Sequence, residues 1–133
     1  MSNPEASAKS ALGLDGNITA LLCYLIGIIG LILAFIEKDN KFVRFHAWQS
    51  LLLGVAASVI AIVLVIVLTI LGAVIAAVSQ DMVPLVGILF GLVFAVFGLA
   101  VFAAAVWAAI QGFQGNIFKL PIIGNFAEKM ANK

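Results

Sequence analysis

The chain has 133 residues, 65% of them hydrophobic and only 10% charged, with a formal net charge of +1 and a mean hydropathy of +1.26. These values exclude an ordinary soluble domain, and they leave no overall field that would recruit nucleic acid. An integral membrane protein is indicated, with room for three or four helices of about 20 apolar residues each.

In chain order, residues 1–16, MSNPEASAKSALGLDG, are small and polar and predict a mobile tail. Its one basic residue is Lys9, and the long apolar run that follows does not read as a secretory leader, so that run is expected to stay as an anchor. Residues 17–36, NITALLCYLIGIIGLILAFI, carry no charge and read as a first crossing. Asp15 or Asn17 is placed to cap its first amides, and the sequon Asn17-Ile18-Thr19 reads as part of that cap. Cys23, the single cysteine, reads as a small buried hydrophobe. The cluster EKDNK, residues 37–41, then turns the chain back into an antiparallel neighbour.

The apolar stretch 47–78 would reach about 48 Å as a straight helix, more than one hydrocarbon core, so its first turns are expected to lie in the headgroup layer. SQDMVP, residues 79–84, supplies the next turn, and Pro84 suits the first turn of a third crossing that runs to about Ile110. The predicted architecture is an all-α membrane protein with three transmembrane helices in a domain spanning 17–111. The segment 112–133 is broken by Gly112, Gly115, Pro121 and Gly124 and cannot cross. Beyond Pro121, the apolar Ile122, Ile123, Phe126 and Met130 fall near one face, as in a short interfacial helix.

Three crossings put the first connection and the C-terminus on one side. Six basic residues fall there, against Lys9 alone on the other, so the positive-inside rule predicts a cytoplasmic C-terminus and an external N-terminus in a cell membrane, a bacterial inner membrane above all.

The spans hold no ionisable residue that a pump or ion-coupled carrier would need. No catalytic triad, nucleotide-binding glycine loop or metal-ligand cluster is legible, so no enzyme, cofactor or metal is predicted. The polar atoms of Thr19, Tyr24, Ser58 and Thr69 are expected to satisfy themselves on helix carbonyls. Small residues on the apolar helices, including Gly27 and Gly30, Gly54, and Gly87 and Gly91, offer faces for close helix packing.

The most informative stretch is FVRFHAWQS, residues 42–50, with the only histidine of the chain. On a helix, Arg44 and Trp48 lie four apart and suit the headgroup layer, with a cation–π contact available between them. His46 and Gln49 point the other way, toward protein. They are expected to clasp the C-terminal segment around Pro121 to Phe126, with Pro121 and Gly124 as contact candidates; a ligand or lipid site is the alternative reading of the same side chains.

This core, F-V-R-F-H-A-x-Q at residues 42–49, together with EKDNK and Pro121-Ile122-Ile123-Gly124, resembles a widespread family of small bacterial membrane proteins grouped with the Tic-twenty-like import component of the chloroplast inner envelope. The resemblance covers about residues 17–130 and implies a membrane helical fold, with a distant suggestion of protein translocation. The residues themselves point to a non-enzymatic accessory or assembly subunit of a larger membrane complex. Its expected partners are the lipid bilayer and other membrane subunits or further copies of itself. A component of a translocation or transport assembly is the alternative.

Overall fold

A computed structural model describes residues 3–133. Among the described residues there are five α-helices, α1 (Gly16–Leu25), α2 (Gly27–Ile36), α3 (Lys41–Val78), α4 (Val83–Phe113) and α5 (Ile123–Ala131), besides two short 3-10 turns. They belong to two compact units, the first formed by residues 3–55 with 103–133, the second by Ala56–Phe102.

The second unit is an apolar helical hairpin. It comprises the end of α3, a short turn at Gln80–Met82 and the start of α4. At 1.5 Å per residue its two arms are about 34 and 30 Å long, a match to the hydrocarbon thickness of a bilayer. None of its residues is buried. Phe90 lies against Gly72, and the outward surface is Val, Ile and Leu. Both long helices are apolar and long enough to cross a membrane.

The first unit departs from the three-crossing expectation. The run 17–36 is not one helix, because Ile26 adopts an extended conformation (φ −125°, ψ 93°) between α1 and α2. A continuous 20-residue helix would hold its ends about 30 Å apart. Here the ends meet: Ala11 N donates to Glu37 Oε2 at 2.6 Å, and Asn40 Nδ2 lies 3.0 Å from where a Gly16 Cβ would stand. The pair is a helical hairpin whose arms, each about 15 Å long, have half the length of a crossing. At its apex both backbone groups of Ile26 are paired, since Ile26 N donates to Leu22 O and Ile26 O accepts from Ile29 N. An apolar medium tolerates such a break only when those groups are paired.

Close approach against α3 holds the hairpin in place. A Cβ on Gly30 would overlap Ser50 Oγ and come within 3.0 Å of Cys23 O. Gly30→Ala is therefore expected to cost about 1–3 kcal/mol. Ser50→Ala, which removes the clashing oxygen, should recover part of that loss in thermal unfolding of the detergent-solubilised protein. An innocuous Gly30→Ala would mean that α2 and α3 stand further apart.

Of the tail 1–16, expected to be mobile, residues 3–15 are folded onto this unit and Gly16 opens α1, while residues 1 and 2 lie outside the described residues. A 3-10 turn at Pro4–Ala6 opens it, residues 9 and 15 pair antiparallel, and Lys9 forms a surface ion pair with Asp15 at 2.7 Å. The side chain of Asp15 thus makes no cap for α1, and that of Asn17 donates to Phe113 O at 3.2 Å instead. The tail serves the start of α3, a helix whose first amides need acceptors. Glu5 Oε2 accepts from Phe42 N and Asn40 Oδ1 accepts from Val43 N, each at 3.1 Å. Buried Glu37 in turn fixes Asn40 through its backbone N–H. The tail, the first connection and the segment after α4 all meet at one end of this unit, where Asn3 N reaches Gly115 O at 2.6 Å. That geometry removes the basis for setting the tail across the membrane from the first connection.

Candidate functional site

All buried residues of α3 lie in its first nine positions, from Phe42 to Gln49, so FVRFHAWQ is the core-forming part of the helix. His46 and Gln49 are fully buried. Phe42 and Phe45 set their ring edges against the imidazole at centroid distances of 4.7 and 5.1 Å.

The hydrogen-bond pattern fixes the proton positions. His46 Nε2 stands 3.0 Å from the carbonyl of Asn116, which can only accept, so Nε2 carries the hydrogen. Nδ1 then accepts from Tyr24 Oη at 3.0 Å. The same hydroxyl oxygen accepts from Gln49 Nε2 at 2.8 Å. The second amide hydrogen of Gln49 goes to Phe118 O at 2.9 Å, and Gln49 Oε1 accepts from Leu120 N at 2.9 Å. One side-chain amide thereby bonds a carbonyl and an N–H two residues apart, as a neighbouring strand would.

Every polar atom of His46 and Gln49 is engaged by the protein itself. Neither ring nitrogen is left for axial ligation, and no nucleophile stands activated beside them. What the arrangement does is tie α1, α3 and the segment after α4 together through charge-free hydrogen bonds, each worth about 0.5–1.5 kcal/mol net.

Over residues 11–127 the sequence matches the family described as the magnetosome magnetite crystal formation protein family. The chain belongs to that family. It is also similar to a UPF0132 membrane protein of Methanocaldococcus jannaschii, 37% identical over 122 residues that cover 91% of this chain and 93% of the relative. A second UPF0132 membrane protein of that organism is 29% identical, over 90% of this chain and 72% of its own length. One from Archaeoglobus fulgidus is 27% identical, over 85% and 92% respectively. No solved structure matches. With the apolar helices α3 and α4, these relatives make the chain a membrane protein.

In this member of the magnetosome crystal formation family, the residues singled out from sequence fall into two groups. His46 and Gln49 do meet the C-terminal segment, but at Asn116, Phe118 and Leu120, just before the expected stretch from Pro121 to Phe126. Arg44 and Trp48 do not face outward as expected. Arg44 Nη1 donates to Ala131 O at 3.3 Å and Lys133 O at 2.9 Å, closing the end of α5 where the helix dipole is negative. Trp48 is 9% exposed and takes the edge of Phe35 at 5.2 Å, so no Arg44–Trp48 stacking forms. The short C-terminal helix returned over α3 and claimed the guanidinium that sequence angles had assigned to lipid.

Pro121 and Gly124 shape the turn into α5. A Cβ on Gly124 would stand 2.6 Å from Lys119 Cα, so only glycine lets the helix start this close to the preceding strand-like segment. Between them Ile122 sits at φ 66°, ψ −57°, with Ile123 N donating to Pro121 O at 2.7 Å. This is a γ-turn of the strained kind, unusual for a β-branched residue. Ile122→Gly is expected to stabilise the isolated protein by about 1 kcal/mol through release of that strain, read as a higher midpoint of thermal unfolding in detergent.

Sequence reasoning missed Tyr24, which bridges His46 and Gln49 rather than satisfying itself on its own helix. It also missed the capping role of Asn40. The signal for Asn40 was present, an asparagine directly before a helix, within a cluster read only as a connection.

Proposed function

We propose that the protein is a non-enzymatic accessory or assembly subunit of a larger membrane complex. The observation that carries this reading is the contrast between the units. Residues 56–102 expose a full-length apolar hairpin with no buried residue of its own, whereas the first unit is cemented by a saturated polar network. The hairpin is the part suited to pack against other transmembrane helices, and the first unit is held by its own hydrogen bonds. With two crossings, both termini lie on one side. All seven basic residues fall in the first unit and the turn of the second carries only Asp81, which supports a cytoplasmic reading of that side.

The family description concerns magnetite crystal formation. Among the described residues no group of three or more His, Cys, Asp or Glu comes together as a metal site, and the proposal places this chain's contribution in the membrane scaffold. Gentle detergent extraction with crosslinking and mass spectrometry tests it. Recurrent crosslinks from residues 56–102 to another membrane protein or to a second copy are expected. A strictly monomeric protein without a recurring partner would count against the reading.

A translocation component is the second reading, supported by the resemblance of the FVRFHAWQ and PIIG stretches to the plastid import family. It requires a water-accessible path through an assembly, which thiol labelling of single cysteines along α3 and α4 would reveal.

A further inference from the structure

A cleft of about 230 Å³ opens in the first unit, where the folded tail, the first turns of α3 and the last turn of α5 converge. It is separate from the His46–Gln49 network, whose polar atoms are all consumed. Glu5, Lys41 and Glu128 line the cleft, together with the largely buried Phe42 and Phe45. Segments from three distant parts of the chain thus bring two carboxylates and one ammonium to one cleft.

The charges are only partly used within the protein. Glu5 offers Oε2 to Phe42 N, leaving Oε1. Glu128 engages Lys119 through Oε2 at 2.6 Å, again leaving Oε1. Lys41 forms no ion pair among the described residues. Two carboxylates lining one cleft are a receptor for an ammonium group by charge. One ammonium beside them matches an anionic group on the same ligand. The cleft is smaller than sites that take drug-sized molecules, so the ligand is compact.

We propose that this cleft binds a small zwitterion, an ammonium held between Glu5 and Glu128 and a phosphate or carboxylate held by Lys41. The shared chemistry occurs in a phosphoethanolamine-type lipid headgroup and in its free soluble counterpart. Binding here is independent of the assembly role, since neither charge set belongs to residues 56–102.

The test uses the full chain in neutral maltoside micelles, titrated with glycerophosphoethanolamine, with ethanolamine alone and with inorganic phosphate, and read by intrinsic tryptophan fluorescence and by the shift in unfolding temperature. Saturable binding of the zwitterion is expected, at least tenfold tighter than either half. Glu128→Gln and Lys41→Gln, at a half-buried and an exposed position, should each weaken it at least tenfold while the ligand-free unfolding temperature stays within about 2 °C. A parallel arm reconstitutes the protein in nanodiscs of phosphatidylglycerol with or without phosphatidylethanolamine. Protection of Lys41 from acylation only with phosphatidylethanolamine marks the lipid as the source, and protection by the soluble probe in either disc marks the free zwitterion. Equal binding of phosphate or ethanolamine alone, unchanged affinity in both variants, or no saturation by soluble probe or lipid would overturn the proposal.

Discussion

A reporter fused ahead of Met1 is expected to show the same side of the membrane as one fused after Lys133, and that side should be the cytoplasm. The effect is all-or-none. It follows from the break at Ile26, because a hairpin with arms of half a crossing's length returns the chain to the side it entered. The tail is then committed to that side by Glu5 on Phe42 N and by Asn3 on Gly115 O. The charges agree: the turn between α3 and α4 holds Asp81 and no basic residue, so no competing positive loop pulls the other way. Activity of the N-terminal fusion only outside would restore a three-crossing topology and require α1 and α2 to straighten. A single reporter inserted at Gln80 gives the complementary reading, external in the two-crossing arrangement.

The two long helices were legible because composition alone decides them, an unbroken run of Val, Ile, Leu and Ala leaving the chain little else to become in a bilayer. The meeting of His46 and Gln49 with the C-terminal segment was legible too, from polar side chains on the protein-facing side of a membrane-edge helix. The break at Ile26 was not. LIGIIG is apolar on both sides of the break, so hydropathy gives the same value for a full crossing and for two half-length helices. The decision came from distant partners: Glu37 meeting Ala11, and Gly30 admitting Ser50. The tail was misread for a related reason. It lacks large hydrophobes, yet it is ordered by backbone groups and by Glu5 supplying acceptors to a helix start 37 residues away, as Phe42 N shows. Periodicity carries no information about such pairs. Arg44 was assigned to headgroups by angle, but its length let it reach the end of α5, whose return path no spacing rule predicted.

Gln49→Ala is expected to release the C-terminal segment more completely than any other single change in the first unit. The side chain has no exposure and makes three hydrogen bonds, two of them to the backbone of Phe118 and Leu120. Truncation leaves the buried Leu120 N–H and the part-buried Phe118 carbonyl without partners, and removes one of the two hydrogen bonds of the Tyr24 hydroxyl. Unsatisfied groups of this kind cost about 1–3 kcal/mol each. A total near 3 kcal/mol raises the detached population about a hundredfold, measured as faster limited proteolysis between residues 114 and 122. Gln49→Glu should do as much damage, since a carboxylate keeps the Leu120 contact but faces the Phe118 carbonyl with no hydrogen to give. His46→Ala removes one bond to the segment, at Asn116 O, and should raise cleavage only several-fold. Arg44→Ala should loosen the last turn of α5 alone, exposing residues 131–133 while 114–122 stay protected. Equal protection in Gln49→Ala and the parent protein would show that apolar burial of Leu120 and Ala127, rather than the amide, holds the segment down.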